Sequence, residues 1–409
     1  MSIRPVVKFD HHSAEYAQDW RNALAGNRQK CPVTWTDAHE GFWLFTGYDD
    51  VADAARDWEH FSTDHDPSGE HNGARGITIP SPPYRAIPLE MDPPEFHLVR
   101  NLLNKDFSPG SSRAWLPWLT EVVEEQLDLV TPSGEMDLIY DLGAVVPGRF
   151  TMKFLGLSQD EWQRWALPFH DFMSPPDTEQ FQVAITDLLT VADRLLEQVQ
   201  DRRANPRDDY ITYLTQSMVG DEPMTDQMAS EICFLIVAGG VDTTTSLFGS
   251  AVEWLSRNPD ARDRLIAEPE LLDTAIEEFL RYFSPTQGNA RTVTDDIVVA
   301  GQHIRKGDRV LLSWAGANHD PAEFACPHDV VLDRKPNRHT AFGVGIHRCL
   351  GSNIARVELK AMLTGVLTRL PDFHIDADRA KRYASIGITN GFLSLPATFT
   401  PTPPVGGHR

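Results

Sequence analysis

Cysteine is scarce. Four in 409 residues, at 31, 233, 326 and 349, are too few and too scattered for the disulfide framework of a secreted scaffold. A reducing compartment follows, and the expectation is a soluble, cytoplasmic protein. Long apolar runs are missing as well: the longest uncharged one, residues 232–241, is half of the roughly 20 residues a membrane helix needs. The opening Met1-Ser2-Ile3-Arg4-Pro5 turns polar where a secretory signal would place its apolar core. Positive charge is in deficit, with 37 Lys and Arg against 59 Asp and Glu and a net charge of −22. Such a polyanion does not bind nucleic acid or anionic lipid through its overall field. Neither GxGxxG nor GxxxxGK[ST] occurs, which removes the usual glycine loops for dinucleotides and nucleoside triphosphates.

What is present is an ordinary globular composition, 41% hydrophobic and 23% charged, enough for a large core. The reading is one domain over residues 1–409, with about 400–409 a flexible tail because 401–407 is dominated by Pro, Gly and Thr. Proline clusters at 81–83, 92–94 and 174–176 punctuate elements without dividing the chain. Between them, apolar residues at three- and four-residue spacing predict helices over 118–130, 181–199, 228–258, 271–283 and 352–370. The last carries the stripe Leu359, Met362, Leu363, Val366, Leu367 and Leu370 and stops at Pro371. Thr225 is a candidate cap for the long helix after it. Strand-like stretches are short: 43–45, 297–299, 310–313 and 392–396. The fold class is therefore mainly α with small β-sheets, without the strand–helix alternation of a doubly wound fold.

The most informative segment is Phe342-Gly343-Val344-Gly345-Ile346-His347-Arg348-Cys349-Leu350-Gly351. Glycines permit turns closed to other residues and let a flat ligand approach the backbone. A sulfur entering a helix N-terminus feels a positive dipole end that favours thiolate, and a thiolate ligates iron. Two plainer readings stand beside this one. A lone buried cysteine packs as a small hydrophobe, and Cys326, His328, His347 and Cys349 can be drawn as a zinc site. The one-residue gaps within each pair suit a zinc knuckle poorly.

The loop resembles the F-x-x-G-x-H/R-x-C-x-G heme-binding loop of the cytochrome P-450 superfamily, soluble bacterial type, through Phe342, Gly343, Gly345, His347, Cys349 and Gly351. Four further segments match in order: Asp92-Pro93-Pro94-Glu95 through Arg100, Gly239-Gly240-Val241-Asp242-Thr243-Thr244, Glu278-Phe279-Leu280-Arg281, and Asp333-Arg334 through His339. The resemblance implies the P-450 fold as a single large domain, heme b (iron protoporphyrin IX) and Cys349 as its axial ligand. It nominates Arg100, Arg291 and His347 for the propionates, and Glu278, Arg281 and Arg334 as a buried charge network under the loop. Where many relatives have His after Asp-Pro-Pro-Glu this chain has Phe96, and His97 points about 100° away on a helix.

Two adjacent glycines and three threonines from Gly239 to Thr245 each cost a few tenths to about 1 kcal/mol of helix propensity. A breach of local rules inside an apolar helix marks a functional site or close packing. The resemblance implies the former: Thr243 hydrogen-bonds at the oxygen site and Asp242 relays protons. Electrons are expected from a ferredoxin and its reductase, for no cofactor-binding reductase segment is visible. Between 334 and 360 stand six bases (Arg334, Lys335, Arg338, Arg348, Arg356, Lys360) against one acid, Glu358, which reads as a dock for an acidic ferredoxin. The substrate pocket is expected to include Tyr84, Ile236, Gly240, Thr286, Gln287, Asn289 and Ile388, around a small hydrophobic molecule. A terpenoid is favoured, with an aromatic or steroid fitting nearly as well. The leading function is O2-dependent hydroxylation by a monooxygenase. The alternatives on the same scaffold are a heme-thiolate isomerase or peroxygenase, and a non-enzymatic heme sensor.

Overall fold

Thr225 starts the central helix as its sequence implies: its side chain accepts from the Met228 N–H, and the helix runs Asp226–Gly240. The computed structural model describes residues 4–406 apart from 67, 69–71, 83 and 177. The single helix expected over 228–258 is two. Val241, at φ −94° and ψ −67°, separates Asp226–Gly240 from Asp242–Arg257. By length and composition 226–257 is apolar enough to cross a membrane, but 67% of its most apolar window is buried in the protein. That burial describes a core helix.

The other expected helices form within a few residues of their predicted ends: Leu116–Val130, Glu179–Ala204, Leu272–Phe283 and Ser352–Arg369. The six-residue stripe of the last is fully buried and packs on Leu116–Val130, in the same apolar cluster as Leu247, Phe248 and Leu255 of Asp242–Arg257. A second cluster gathers Asp226–Gly240 with Glu179–Ala204 and Trp162–Asp171.

One five-stranded sheet lies beside this helical core, in the order Val33–Thr36, Phe42–Phe45, Arg309–Leu312, Asn289–Val293, Phe61–Ser62. Phe42–Phe45 pairs in parallel with Arg309–Leu312, and the remaining neighbours are antiparallel. The alternation of Asn289–Val293 matters for the site, since Asn289 and Arg291 line the cavity while Ala290 packs away from it.

One strand expectation needs correction. The strand expected over 392–396 is divided: Phe392–Ser394 pairs with Lys381–Arg382, and Pro396–Thr398 with Glu135–Asp137 and His374–Ile375. The described part of the tail, 400–406, makes backbone hydrogen bonds to the body of the protein. Thr402 N–H donates to the Thr131 carbonyl at 3.0 Å, and Val405 and Gly406 N–H groups donate to the two carboxylate oxygens of Asp128 at 2.9 and 2.8 Å. Those backbone bonds fix a segment whose side chains offer little packing. Residues 407–409 lie outside the described ones.

Candidate active site

The cysteine loop is folded by its own glycines. Gly343 and Gly345 have φ of +65° and +78°, and a Cβ on Gly345 would stand 2.6 Å from the Ala55 carbonyl oxygen. Cys349 N–H donates back to the Phe342 carbonyl at 2.8 Å and closes the turn. Gly351 then caps helix Ser352–Arg369. The Cys349 sulfur opens on a cavity of about 370 Å³ that Phe342, Gly343, His347 and Gly351 also line. Burial raises the thiol's pKa, outweighing the Gly351 N–H and the charges of Arg100, Arg348 and Arg356, which lower it. Iron favours the deprotonated sulfur, so heme bound here would offset that burial.

Beneath the loop, Glu278 and Arg281 are fully buried and doubly bonded, Nε to Oε2 at 2.8 Å and NH2 to Oε1 at 2.7 Å. Arg334 Nε reaches both Glu278 oxygens at 3.0–3.1 Å, and Val331 N–H and Asn337 Nδ2 donate to the same carboxylate. Arg281 also donates to the carbonyls of Asn318, Pro327 and Asp329. Asn318 Oδ1 in turn holds the Thr340 N–H at 2.6 Å, two residues before Phe342. None of the three charged residues lines the cavity. Their reach is structural, through one side chain to the base of the loop.

On the opposite rim, Arg291 lines the cavity and is buried, with its one hydrogen bond to the Ala290 carbonyl at 2.7 Å. Among the described residues it has no ion-pair partner, and burial pulls its pKa to about 10. His347 is bonded through Nε2 to Thr63 Oγ1 at 3.1 Å, and its Nδ1 is buried without a partner. Burial first, and Arg291 and Arg100 next, bring its pKa to about 3, so the ring is neutral. Arg100 lines the cavity and donates to the Arg348 carbonyl at 2.7 Å, tying helix Glu95–Asn104 to the loop. Phe96 fills the place of the absent histidine, packed on His347 with ring centroids 4.3 Å apart. His97 is exposed and does not line the cavity.

Above the loop stands the break between the two central helices. Gly239 faces open space in the cavity wall. Thr243 Oγ1 donates to the Gly239 carbonyl at 2.9 Å, so its lone pairs remain for a donor in the cavity. Asp242 is buried; its Oδ1 meets His170 Nδ1 at 3.0 Å, while its Oδ2 is buried without a partner. Tyr383 OH lies 3.1 Å from the same His170 nitrogen. Glu358, also in the wall, touches Thr244 Oγ1 at 3.4 Å, and burial lifts its pKa to about 8. His170, Tyr383 and Glu358 carried no motif that would single them out.

The Cytochrome P450 family model matches residues 149–399. Steroid C26-monooxygenase of Mycobacterium tuberculosis is 32% identical over 397 residues, covering 94% of this chain and 97% of that protein. The chain belongs to the cytochrome P450 family. Mycinamicin IV hydroxylase/epoxidase of Micromonospora griseorubida is 29% identical, covering 88% and 90% of the two chains. The crystal structure of CYP109E1 from Bacillus megaterium in complex with testosterone superposes with a TM-score of 0.84 at 27% identity, covering 95% of this chain and 99% of that one.

As a P450 the protein is an oxygen-incorporating monooxygenase that binds heme b through a cysteine thiolate. The residues present fit that group. A buried guanidinium without a carboxylate, an unpartnered imidazole nitrogen and a sulfur all face one cavity, which matches two propionates and an iron. The zinc alternative fails on placement: His347 and Cys349 line the cavity and Cys326 and His328 do not, and among the described residues the ligand atoms of these four do not gather.

Of the pocket residues expected from sequence, Tyr84, Ile236, Gly240, Thr286, Asn289 and Ile388 line the cavity. Gln287 does not. Its amide is spent on the Tyr16 hydroxyl at 3.1 Å and the Ser284 carbonyl at 2.7 Å, turned away from its neighbour Thr286. Asn289 Oδ1 accepts from Trp314 Nε1 at 2.9 Å, which fixes it. Phe150, Phe154, Phe169, Phe172 and Phe234 also line the cavity, with Thr78, Glu90, Thr151 and Thr389 as further polar residues in the lining.

The basic stretch 334–360 is also corrected. Arg334 is consumed by Glu278, Arg356 by Glu277 at 2.6 and 2.7 Å, Lys360 by Asp273 at 2.7 Å, and Arg338 lies 3.7 Å from Glu323. These acids are distant in sequence, so the local count overstated the field. Arg348 and Lys335 stay exposed, and Arg348 joins Arg56 and Arg356 around a surface depression against Gly343–Gly345.

Proposed function

We propose that this P450 hydroxylates a terpenoid-class molecule with O2, using electrons from a ferredoxin and its reductase. The aromatic lining carries the reading: Tyr84, Phe169 and Phe234 pack on one another in the cavity wall with Phe172 nearby in the chain, and the two guanidinium groups that line the cavity among the described residues, Arg100 and Arg291, are the ones assigned to the heme. The steroid C26-monooxygenase relative and the testosterone-bound structure favour a steroid as the second reading. Thiolate-held heme supplies the activation of dioxygen for C–H oxidation. The chain's own residues then divide the remaining work. Arg100, Arg291 and His347 hold the heme edge, and Cys349 its iron. Phe234 and its neighbours exclude water and orient the substrate by shape. Thr243 accepts a hydrogen bond from water in the cavity, its own O–H donating to the Gly239 carbonyl. Asp242 moves protons at Oδ2, with Oδ1 held by His170.

The test is optical. The ferric holoenzyme is titrated with a cyclic monoterpenoid, a sterol, a simple aromatic and a free fatty acid, watching the heme spectrum for loss of iron-bound water. The terpenoid is expected to give the tightest response and the fatty acid none. A fatty acid binding most tightly would overturn the reading.

A further inference from the structure

A cluster of imidazoles lies outside the heme site. The turn 10–13 is locked before helix Ala14–Lys30, with Ser13 N–H and Oγ both donating to the Asp10 carbonyl. It presents Asp10, His11 and His12 towards His39. Both His11 Nε2 and His12 Nε2 lie 2.9 Å from the Ile79 carbonyl, which only accepts, so both Nε2 atoms carry the proton. His12 Nδ1 is then free to accept from Ser385 Oγ, 2.7 Å away. His11 Nδ1 has a bare lone pair, and it is buried with no partner in a residue only 3% exposed. A buried ring that donates one N–H to a backbone carbonyl and leaves its other nitrogen unpartnered beside a carboxylate residue and a second imidazole has the arrangement of a metal-ligating histidine with its outer partner.

The second imidazole is His39, whose Nε2 lies 2.8 Å from Asp10 Oδ1. The donor atoms of Asp10, His11 and His39 all lie within 4.8 Å of one another. We infer that Asp10, His11 and His39 form a zinc site that clamps the N-terminal segment behind the wall of the substrate cavity. Two imidazoles and one carboxylate suit Zn²⁺; the nitrogen donors disfavour Ca²⁺ and Mg²⁺. Zinc–ligand bonds of about 2.0–2.1 Å set tetrahedral ligands roughly 3.3 Å apart, so Asp10 and His39 open by about half an ångström and the wider separations, at most 4.8 Å, close by up to about 1.5 Å. His39 then carries its proton on Nδ1, and the fourth position faces the half-exposed Asp10 side, open to water. The clamp follows from the same bonds. Ile79 follows Ile77 and Thr78, and Ser385 precedes Ile388 and Thr389, and all four of those flanking residues line the cavity. Gly387 admits no side chain, since a Cβ would stand 2.7 Å from His12.

Zinc binding itself does not depend on the P450 reading; the effect on substrate does. Holoenzyme freed of metal by a chelator is titrated with zinc chloride by calorimetry, and zinc-edge X-ray absorption reports the ligands. One zinc per chain with a micromolar or tighter Kd and a two-imidazole shell is expected. Asp10→Asn and His11→Ala should each weaken it at least tenfold. Should His11→Ala not fold, Asp10→Asn at the partly exposed carboxylate decides alone. Equal zinc binding by the parent and both variants, or none below millimolar, would overturn the site. Zinc should also tighten the substrate's spectral Kd at least threefold in the parent and not in Asp10→Asn. An unchanged substrate Kd with intact zinc stoichiometry would overturn the clamp and leave the P450 activity untouched.

Discussion

Glu358 is the side chain whose protonation the fold dictates. Its carboxyl has an ordinary value of 4.5 and is pushed up to about 8 by burial, against the weaker pull of Thr244. Between those two values the unfolded chain has lost a proton that the folded chain keeps, so stability falls as pH rises from about 4.5 to about 8. Glu358→Gln keeps the shape and removes the slope. Its stability should match the parent's near pH 4 and exceed it at pH 8 by on the order of a few kcal/mol, read as a higher melting temperature there; parallel pH profiles for the two proteins would refute this. Thr243 and Asp242 are distinguished by their products. Thr243→Ala should retain heme and substrate binding but release hydrogen peroxide in place of hydroxylated product, read as electrons consumed per product formed. Asp242→Asn should cut kcat at least tenfold while that ratio stays near the parent's, because a slow proton differs from a lost one. Similar electron-to-product ratios in the two variants would contradict the division of labour.

At the scale of elements, the loop is held from below by a network that is all or nothing. Glu278→Gln leaves Arg281 and Arg334 buried without a carboxylate, which costs about 3–5 kcal/mol. The expected result is a large drop in melting temperature with loss of heme on purification. A variant that keeps its heme and melts like the parent would show that the loop stands without this support. Such elements were readable in the chain because their determinants are local. Thr225 caps its own helix, the stripe from Leu359 to Leu370 repeats at helical spacing, and Gly343 and Gly345 announce turns. What was not readable depends on partners far along the chain. Val241 breaks a helix whose propensity penalties were visible but whose break point was not. Gln287 turns outward because Tyr16, 271 residues earlier, takes its amide. His170 and Tyr383 had no spacing that linked them to Asp242.

The whole molecule poses a conflict of charge, since a chain of net −22 is expected to receive an acidic electron donor. The neutralised bases Arg334, Arg356 and Lys360 sharpen it. Distance resolves it. The overall repulsion acts across many ångströms and is screened beyond about 10 Å at 0.1 M salt, whereas a docked partner meets the exposed Arg348 beside the depression at contact range. At moderate salt the contact term therefore dominates, and further salt weakens it. Raising ionic strength from about 0.1 to 0.5 M should increase the apparent KM for ferredoxin several-fold, while the substrate's spectral Kd, set inside an apolar cavity, stays constant. Arg348→Glu should raise the ferredoxin KM at 0.1 M salt and flatten the salt dependence, with the heme spectrum as the check that the loop is intact. A ferredoxin KM that falls as salt rises would mean the net charge governs the encounter, and the dock would have to be sought on another face.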